Sequence, residues 1–209
     1  PLILNPKPGD IVLDLCAAPG SKTTQLAQLM KNTGLIVAND YTGIRLQSLG
    51  INVQRMGASN VLLTQMYGQQ FQNFQFDKIL VDAPCSGTGT IRKSPKTIRM
   101  WNEKTILFFA KQQRQLITTA YQNLKPGGTL VYSTCSLEPE ENEGVVTSLL
   151  NTFPTAKLKP ARLGGLHHSP AVEEFNGERY HPDIQKCLRL WPQDNDTEGF
   201  FVAKIVKTE

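Results

Sequence analysis

The sequence lacks the long apolar runs that mark membrane proteins. None of its 209 residues lies in a stretch approaching the roughly 20 consecutive apolar residues of a membrane helix, and no charged-then-apolar signal segment opens the chain. We therefore expect a cytoplasmic protein without a membrane partner. The chain begins at Pro1 and leads directly into an apolar run, so we expect it to start inside a larger protein whose upstream part is missing here.

Cysteine and histidine are also scarce. The four cysteines form no C-x-x-C pair, which argues against a zinc site or a disulfide framework. We interpret Cys187, in an apolar run, as a packing residue, and we expect Cys16 to act through its backbone. The histidines stand in an irregular stretch without supporting ligands, so we predict no metal site there. They are His167, His168 and His181.

Nucleotide-binding signatures are missing as well. The sequence has neither G-x-G-x-x-G nor G-x-x-x-x-G-K-[ST], which argues against a dinucleotide fold and a nucleoside triphosphate site. Its 22 Lys and Arg against 18 Asp and Glu give a net charge of +4, which permits a polyanionic partner without requiring one. The length and the 40% hydrophobic content predict a single domain over residues 1–209 and, as the simplest state, a monomer.

Short apolar runs alternate with helical patterns along most of the chain. This alternation predicts an α/β fold with an open, doubly wound, mostly parallel sheet. The predicted strands are 11–15, 35–38, 61–64, 77–82 and 129–133, and the closing pair 187–191 and 200–206 is expected to form an antiparallel hairpin at one sheet edge. A helix follows residue 20, and others are predicted at 42–49, with Ile44, Leu46 and Leu49 as apolar positions, at 102–124 and at 140–150. Residues 154–184 show no clear period and predict an irregular excursion.

Ligands of such sheets bind beyond the carboxyl ends of the strands, and polar or flexible segments follow several predicted strands directly. The segment DLCAAPGSK at 14–22 has little side-chain bulk, which lets backbone N–H groups approach a ligand near a helix N-terminus. A tight structural turn would explain it equally well. Asp40 could accept two ribose hydroxyls or cap a helix, although Thr42 could cap that helix too.

The segment DAPCSGTG at 82–89 places a carboxylate and the Cys85 thiol after the strongest predicted strand. The segment STCS at 133–136 brings Cys135 to the same side of the sheet. A Cys is more often a buried packing residue, but an Asp and a Cys beside glycines at a strand end favour chemistry. We therefore expect the two thiols to face one cleft.

These segments, with PGGTLVYSTCSLEPEENE at 126–143, resemble the Nol/Nop/Sun (Fmu-like) RNA 5-methylcytosine methyltransferases, and 198–204 resembles the last strand of that family. The resemblance implies a Rossmann-like class I methyltransferase fold, S-adenosyl-L-methionine as cofactor and RNA as partner. It implies that Cys135 is the nucleophile, that Cys85 assists product release, and that Asp40 and Arg45 support the cofactor site. The other cofactor-binding residues that it implies are Cys16, Ala17, Ala18, Pro19, Gly20, Ser21, Lys22 and Asp82.

The chemistry of cytosine favours the same division of roles. Carbon 5 is a poor nucleophile, so a thiolate must first add to carbon 6, and a proton must later leave carbon 5 before the adduct can eliminate. Asp82 could hydrogen-bond the ring nitrogen and the exocyclic amine of the base. We expect Lys22 or Arg92 to assist thiol ionisation. DNA cytosine methyltransferases place the nucleophile in the P-C segment, so reversed roles stay an alternative.

A cluster of cations between residues 92 and 104 bears on the choice of substrate. Cations interleaved with an aromatic residue predict a nucleic-acid surface, here called the basic patch, although a solvated helix flank is the alternative. Its residues are Arg92, Lys93, Lys96, Arg99, Trp101 and Lys104. The similarity of 91–101 to the ribosomal-RNA branch favours rRNA over tRNA.

The family usually has an acid where this chain has Tyr67, which leaves a catalytically silent RNA-binding or ribosome-assembly factor as an alternative. An adenine or guanine methyltransferase on this fold is disfavoured, because methylation of an amine needs no paired thiols.

Overall fold

The computed structural model describes all 209 residues, and the chain divides into two compact units. The first unit comprises Pro1–Asp82, Thr119–Val131 and Lys207–Glu209, and the second comprises Ala83–Thr118 and Tyr132–Val206. Each unit contains part of the sheet, because the division falls within two strands.

The first unit is built from alternating strands and helices. Its elements are β1 (Ile11–Asp14), α1 (Ser21–Leu29), β2 (Leu35–Asn39), α2 (Gly43–Arg55), β3 (Val61–Thr64), a 3-10 helix (Gly68–Gln70), β4 (Phe76–Asp82) and the start of β5 (Leu124–Thr134). The strands are ordered β3-β2-β1-β4-β5. β1 pairs in parallel with both neighbours, and Val12 and Leu13 are fully buried, as expected for a central strand covered on both faces.

The second unit begins with a 3-10 helix (Thr88–Thr90), α3 (Lys96–Met100) and α4 (Glu103–Gln122), whose last turn passes into the first unit. After β5 come a 3-10 helix (Pro139–Glu141), α5 (Glu143–Thr152), β6 (Ala156–Lys159), β7 (Glu174–Phe175), β8 (Glu178–Arg179), a 3-10 helix (Pro182–Lys186), β9 (Leu188–Leu190), α6 (Pro192–Asn195) and β10 (Phe200–Lys207). β10 follows β5 in the strand order, with β6 beyond it, and β9 pairs antiparallel with β10.

The expected architecture is confirmed: the sheet is mostly parallel and carries an antiparallel pair near its C-terminus. Some details of the prediction were wrong. α2 runs on to Arg55, and its buried residues are Leu49 and Val53, whereas Ile44 is 77% exposed. The prediction used only residues 42–49, and the buried face of α2 is set by the longer helix up to Arg55.

Three further details differ from the prediction. β5 begins at Leu124, so the Lys-Pro-Gly-Gly segment that was expected to precede the strand lies within it. The stretch 154–184 is not wholly irregular, since β6 joins the sheet as the strand beyond β10. Cys187 lies immediately before β9 rather than inside a strand, and it is buried.

A buried ion pair links α5 to β9 in the second unit. Arg189 is 1% exposed and Glu143 is 0% exposed, and the guanidinium donates two hydrogen bonds of 2.8 and 2.6 Å to the carboxylate. Arg189 also donates to the carbonyl oxygen of Leu137 at 2.9 Å. An ion pair that is removed from water needs several hydrogen bonds of this kind, because each ion loses its hydration. The pair thereby fixes the segment that follows Cys135.

No helix of the chain combines the length and the apolar character that crossing a membrane requires.

Candidate active site

The loop between β1 and α1 exposes the N-terminal end of a helix. α1 begins at Ser21, and Gly20 before it has a φ of 108°, a left-handed conformation that glycine adopts without strain. No side chain caps the helix, so its first-turn N–H groups remain available to an acceptor. Arg45 of α2 holds the loop by donating a hydrogen bond of 2.7 Å to the carbonyl oxygen of Ala18.

Asp40, directly after β2, has its carboxylate buried in the first unit. Its Oδ1 accepts the backbone N–H of Thr42 at 3.1 Å, and its Oδ2 lies 3.3 Å from the Arg45 guanidinium without accepting a hydrogen bond. The Thr42 side chain does not cap α2. A buried oxygen with an unused acceptor site is suited to a ligand hydroxyl, which is what the ribose interpretation of Asp40 requires.

A second buried acceptor lies at the end of β1. Asp14 is 1% exposed, its Oδ2 accepts the Thr23 hydroxyl at 2.7 Å, and its Oδ1 has no hydrogen-bond partner. Burial raises the pKa of Asp14 to about 7. With Asp40 and the uncapped helix end, the first unit thus offers acceptors and backbone donors that fit a ligand carrying hydroxyl, ammonium and carboxylate groups, as S-adenosylmethionine does.

Asn39 is a site residue that the sequence analysis missed. Its Nδ2 donates to the carbonyl oxygens of Leu15 and Met66 at 3.1 and 3.0 Å, and its Oδ1 accepts from the Thr64 hydroxyl and the Met66 N–H. One buried amide therefore ties the ends of β1, β2 and β3 together beside Asp40. A lone Asn at a strand end reads as a turn residue in sequence, so nothing in the pattern indicated this role.

Lys22 and Asp82 form an ion pair in the first unit. The Lys22 ammonium lies 2.6 Å from Asp82 Oδ2, and both side chains are partly exposed, at 31% and 27%. Lys22 was expected to assist thiol ionisation, and in the first unit its ammonium pairs with this carboxylate. The pair lies at the end of β4, and Asp82 precedes Cys85 by three residues in the chain.

The second unit brings the two cysteines of the strand-end loops together, as the sequence analysis expected. The sulfur atoms of Cys85 and Cys135 lie 3.3 Å apart, within hydrogen-bonding distance and without a disulfide. The hydrogen bond with Cys135 and the burial of the thiol raise the pKa of Cys85 well above its ordinary value. Cys85 therefore rests as a thiol that can donate its proton toward the Cys135 sulfur.

The loops that carry these cysteines fit closely. The N–H of Ala83 donates to Ser133 at 2.9 Å, and the N–H of Gly89 donates to Cys135 at 2.8 Å. A Cβ at Gly89 would lie 2.7 Å from the Cys135 carbonyl oxygen and 2.5 Å from that of Gly199, so only glycine fits there. Glu141 and Gln113, neither of which was singled out from the sequence, are fully buried and hydrogen-bond to the loops.

The other two cysteines are poorly suited to chemistry. Burial raises the pKa of Cys16 and the pKa of Cys187 well above the ordinary value, so both stay protonated at neutral pH. This agrees with the interpretation of Cys187 as a packing residue and of Cys16 as a backbone contributor to the loop.

The basic patch is only partly available to a partner. The guanidinium of Arg92 binds Asp196, and Lys93 lies 3.9 Å from Glu198, so acids of the same unit engage two of the cations. Arg92, like Lys22, is thus engaged by a carboxylate, and the expectation that it assists thiol ionisation has no support in these contacts. Lys96, Arg99 and Lys104 are exposed and take part in no salt bridge.

Trp101 follows α3 and is 57% exposed, and its indole N–H donates to Glu138 at 3.1 Å. This hydrogen bond holds the ring in the segment that carries the exposed cations. A cleft of about 670 Å³ elsewhere in the unit is lined by Arg92, Leu137 and Trp191, among others. Because Leu137 follows Cys135 by two residues, the cleft adjoins the segment of the nucleophile candidate.

Tyr67, the residue that departs from the family pattern, stacks on Tyr41. Their ring centroids lie 5.9 Å apart with planes inclined by 17°, and both rings are more than half exposed. The two tyrosines follow β2 and β3, beside Asp40. They offer an aromatic face where the family usually has an acid.

The three histidines interact mainly with the chain around them. His167 lies 3.7 Å from Asp194, His168 contacts the carbonyl oxygen of Leu163, and His181 accepts the N–H of Asp183. No group of three or more side chains of the His, Cys, Asp or Glu type is arranged to hold a metal ion.

The strand order of the first unit, with candidate ligand-binding groups after β1, β2 and β4, defines a Rossmann-like α/β domain. A family model described as 16S rRNA methyltransferase RsmB/F matches residues 1–206. A tRNA (cytosine(49)-C(5))-methyltransferase from Pyrococcus abyssi is 46% identical over 209 residues, which are 99% of this chain and 67% of that protein. A ribosomal RNA small subunit methyltransferase F from Shewanella loihica is 46% identical over 199 residues, 94% of this chain and 39% of that protein.

Two solved structures resemble this chain along nearly its whole length. A methyltransferase homologue from Pyrococcus horikoshii superposes with a TM-score of 0.86 at 43% identity, covering 98% of this chain and 63% of that one. NSun6 from the same organism, solved with SFG, also gives 0.86, at 37% identity over 100% of this chain and 50% of that one. The chain belongs to the RsmB/F family of methyltransferases, and the family expected from its motifs is confirmed. It spans from about two fifths to two thirds of the curated relatives it matches.

Proposed function

We propose that this chain carries the catalytic centre of an RNA methyltransferase that transfers a methyl group from S-adenosylmethionine to carbon 5 of a cytosine through a covalent cysteine adduct. The observation that carries the proposal is the 3.3 Å separation of the Cys85 and Cys135 sulfur atoms. Methylation of an amine would need no second thiol, whereas an adduct at carbon 6 needs one group to form it and another to help release it.

The cofactor would be held by residues of the first unit. The loop at 16–22 supplies backbone N–H groups, Asp40 supplies an acceptor for ribose hydroxyls, and Arg45 holds both Asp40 and the loop. S-adenosylmethionine supplies an electrophilic methyl group on a sulfonium when it is bound. Asp14, with its unpartnered oxygen, is a further acceptor for a cationic or N–H group of the same ligand.

Cys135 is assigned to the attack. Its thiolate would bond to carbon 6 of the cytosine, which gives carbon 5 the electron density to take up the methyl group. Asp82, which pairs with Lys22, would orient the base through its ring nitrogen and exocyclic amine. A base must then remove the proton from carbon 5 as the bond between carbon 6 and sulfur breaks, which returns the thiolate to Cys135. Cys85 is assigned to this release.

The substrate class is RNA, with ribosomal RNA proposed ahead of tRNA. The family description and the Shewanella relative favour rRNA, while the Pyrococcus abyssi relative is named for a tRNA cytosine. The exposed cations of the basic patch and the fixed ring of Trp101 suit an unpaired strand, because cations attract phosphates and an aromatic face stacks on a base. Bisulfite sequencing of cellular RNA with and without the gene would identify the cytosine and decide between the two RNA classes.

The mechanism is tested with cysteine variants of the full-length protein. Cys135→Ala is expected to abolish both methylation and adduct formation, and Cys85→Ala is expected to trap the RNA as an adduct that survives a denaturing gel. Cys187→Ala, which removes a buried thiol outside the loops, serves as the matched control and should methylate normally. An adduct in Cys135→Ala but not in Cys85→Ala would reverse the two roles, and no adduct in either variant would refute the mechanism.

A further inference from the structure

A single buried carboxylate, that of Glu141, binds both cysteine loops. Its Oε2 accepts the backbone N–H of Ser86 at 3.0 Å, and its Oε1 accepts the hydroxyl of Ser136 at 3.0 Å. Ser86 directly follows Cys85, and Ser136 directly follows Cys135. Glu141 is 0% exposed and forms no salt bridge, so its hydrogen bonds to the loops are what compensates for its burial.

Gln113 of α4 extends this arrangement to the other side of Cys85. Its Nε2 donates to Glu141 Oε2 at 2.8 Å and to the carbonyl oxygen of Pro84 at 2.9 Å. The residues before and after Cys85 are therefore both fixed by the same pair of side chains. Gln113 is itself fully buried, so water cannot replace these hydrogen-bond partners.

The loops also contact each other directly through Ser86 and Ser136, whose hydroxyl oxygens lie 3.1 Å apart. Backbone hydrogen bonds fix the ends of the Cys85 loop, at Ala83 and at Gly89. The middle of the loop, where the thiol stands, depends on Glu141. Without this carboxylate the Ser86 N–H would lose its acceptor in a buried place, and the loop would have to shift to find another.

We propose that Glu141, supported by Gln113, is a positioning residue that holds the two cysteine loops together and thereby keeps the two thiols in contact. The inference deepens the proposed function and rests on it for the assignment of roles. Glu141 accepts hydrogen bonds from Ser86, Gln113 and Ser136. Burial raises the pKa of this carboxyl, and these hydrogen bonds act in the opposite direction by favouring its charged form. The charged neighbours that act on Cys85 are Cys135 and Glu141, and both disfavour its thiolate.

The contact between the thiols can be tested without RNA or cofactor. Diamide takes two electrons and two protons from a pair of neighbouring thiols and leaves a disulfide, so its rate reports how well Cys85 and Cys135 are held together. In the full-length protein, Glu141→Ala should form this disulfide roughly tenfold more slowly, the factor that losing one hydrogen bond to a charged group supplies. Peptide mapping by mass spectrometry distinguishes this disulfide from reactions of the other cysteines.

The charge effect is tested with Glu141→Gln, which keeps the shape and removes the charge. Its disulfide should form at nearly the wild-type rate, while the pH midpoint for alkylation of Cys85 by iodoacetamide should fall by about one unit. The neighbouring Glu140, whose Oε2 has no hydrogen-bond partner, provides the control variant Glu140→Gln, which should match the wild type in both measurements.

The two variants keep the proposal open to refutation even where Glu141→Ala does not fold. Wild-type disulfide rates in a folded Glu141→Ala would show that the carboxylate does not hold the loops. An unchanged alkylation midpoint for Cys85 in Glu141→Gln would show that the carboxylate is not held against the Cys85 loop. Neither result depends on methylation, so failure of the proposed function would appear separately, as the absence of any RNA adduct in Cys85→Ala.

Discussion

The pH dependence of folding should change when Asp14 is replaced. Burial raises the pKa of this carboxyl from 3.8 to about 7, so between these two values the folded chain holds a proton that the unfolded chain has released. The stabilisation is therefore complete below pH 4 and is lost as the pH rises through 7. From pH 5 to pH 8 the linkage amounts to a loss of about 2 to 3 kcal/mol.

Asp14→Asn removes the titration but keeps an acceptor for the Thr23 hydroxyl. Equilibrium urea unfolding of the full-length protein at pH 5, 6, 7 and 8 should show the variant gaining about 2 to 3 kcal/mol relative to the wild type across this range. Asp196→Asn, at a side chain that is 86% exposed, is the control and should show no such trend. A relative gain below about 1 kcal/mol would refute the conclusion that Asp14 is held protonated by burial.

Binding of S-adenosylmethionine should be coupled to the ionisation of Asp14. If cationic or N–H groups of S-adenosylmethionine occupy the unpartnered Oδ1 of Asp14, they favour the ionised carboxylate and a proton is released on binding near pH 6.5. Isothermal titration in two buffers with different ionisation enthalpies measures that release. The full-length wild type should release a proton and Asp14→Asn should not. Equal release from both would place the coupled group elsewhere.

Three further changes test the second unit and its surface. Glu143→Gln leaves the buried Arg189 guanidinium unpaired and should lower the free energy of unfolding by about 3 to 5 kcal/mol in urea titrations, with a partial recovery when Arg189→Met is added. Gly89→Ala places a methyl group 2.5 Å from the carbonyl oxygen of Gly199 and should slow methylation more than it weakens cofactor binding by calorimetry. Trp101→Ala should weaken RNA binding by about 1 to 3 kcal/mol while leaving the slope of log affinity against log salt unchanged, as measured by filter binding.

The parts of the site that repeat a local pattern could be predicted from sequence. Parallel strands end on one side of a sheet, so loops after them converge, and this argument alone brought Cys85 and Cys135 toward one cleft before their separation of 3.3 Å was seen. The same argument predicts Asp40 as a ligand-binding residue, because an acid that directly follows a strand lies at this end of the sheet.

The residues that were missed act through long-range contacts. Asn39 joins three strand ends, and Gln113 lies on a helix whose pattern showed only apolar spacing. Glu141 stands among several acids of an acid-rich segment, where charge patterning indicates a solvated surface. Only the folded chain shows that Glu141 is enclosed. Ile44 was misjudged for a related reason, since a short window cannot show which face of a longer helix is covered.

Two identical thiols in contact need a physical reason to act at different times, and the causes of the raised pKa of Cys85 supply one. The largest cause is its hydrogen bond to Cys135, and the charge of Cys135 adds to it. Once Cys135 bonds to carbon 6 of a cytosine, its sulfur is a neutral thioether that is a weak acceptor and carries no charge. The pKa of Cys85 should then fall, so Cys85 can ionise and take the carbon 5 proton only after the adduct exists.

Cys135→Ala imitates this loss of charge and of the hydrogen bond. In the full-length protein, the pH midpoint for alkylation of Cys85 by iodoacetamide should fall by about one unit or more in this variant, whereas Cys187→Ala should leave it where the wild type has it. Burial and Glu141 still act on Cys85, so the midpoint should stay above that of an exposed thiol. A midpoint unchanged by Cys135→Ala would mean that the nucleophile does not govern its partner, and the order of the two steps would need another cause.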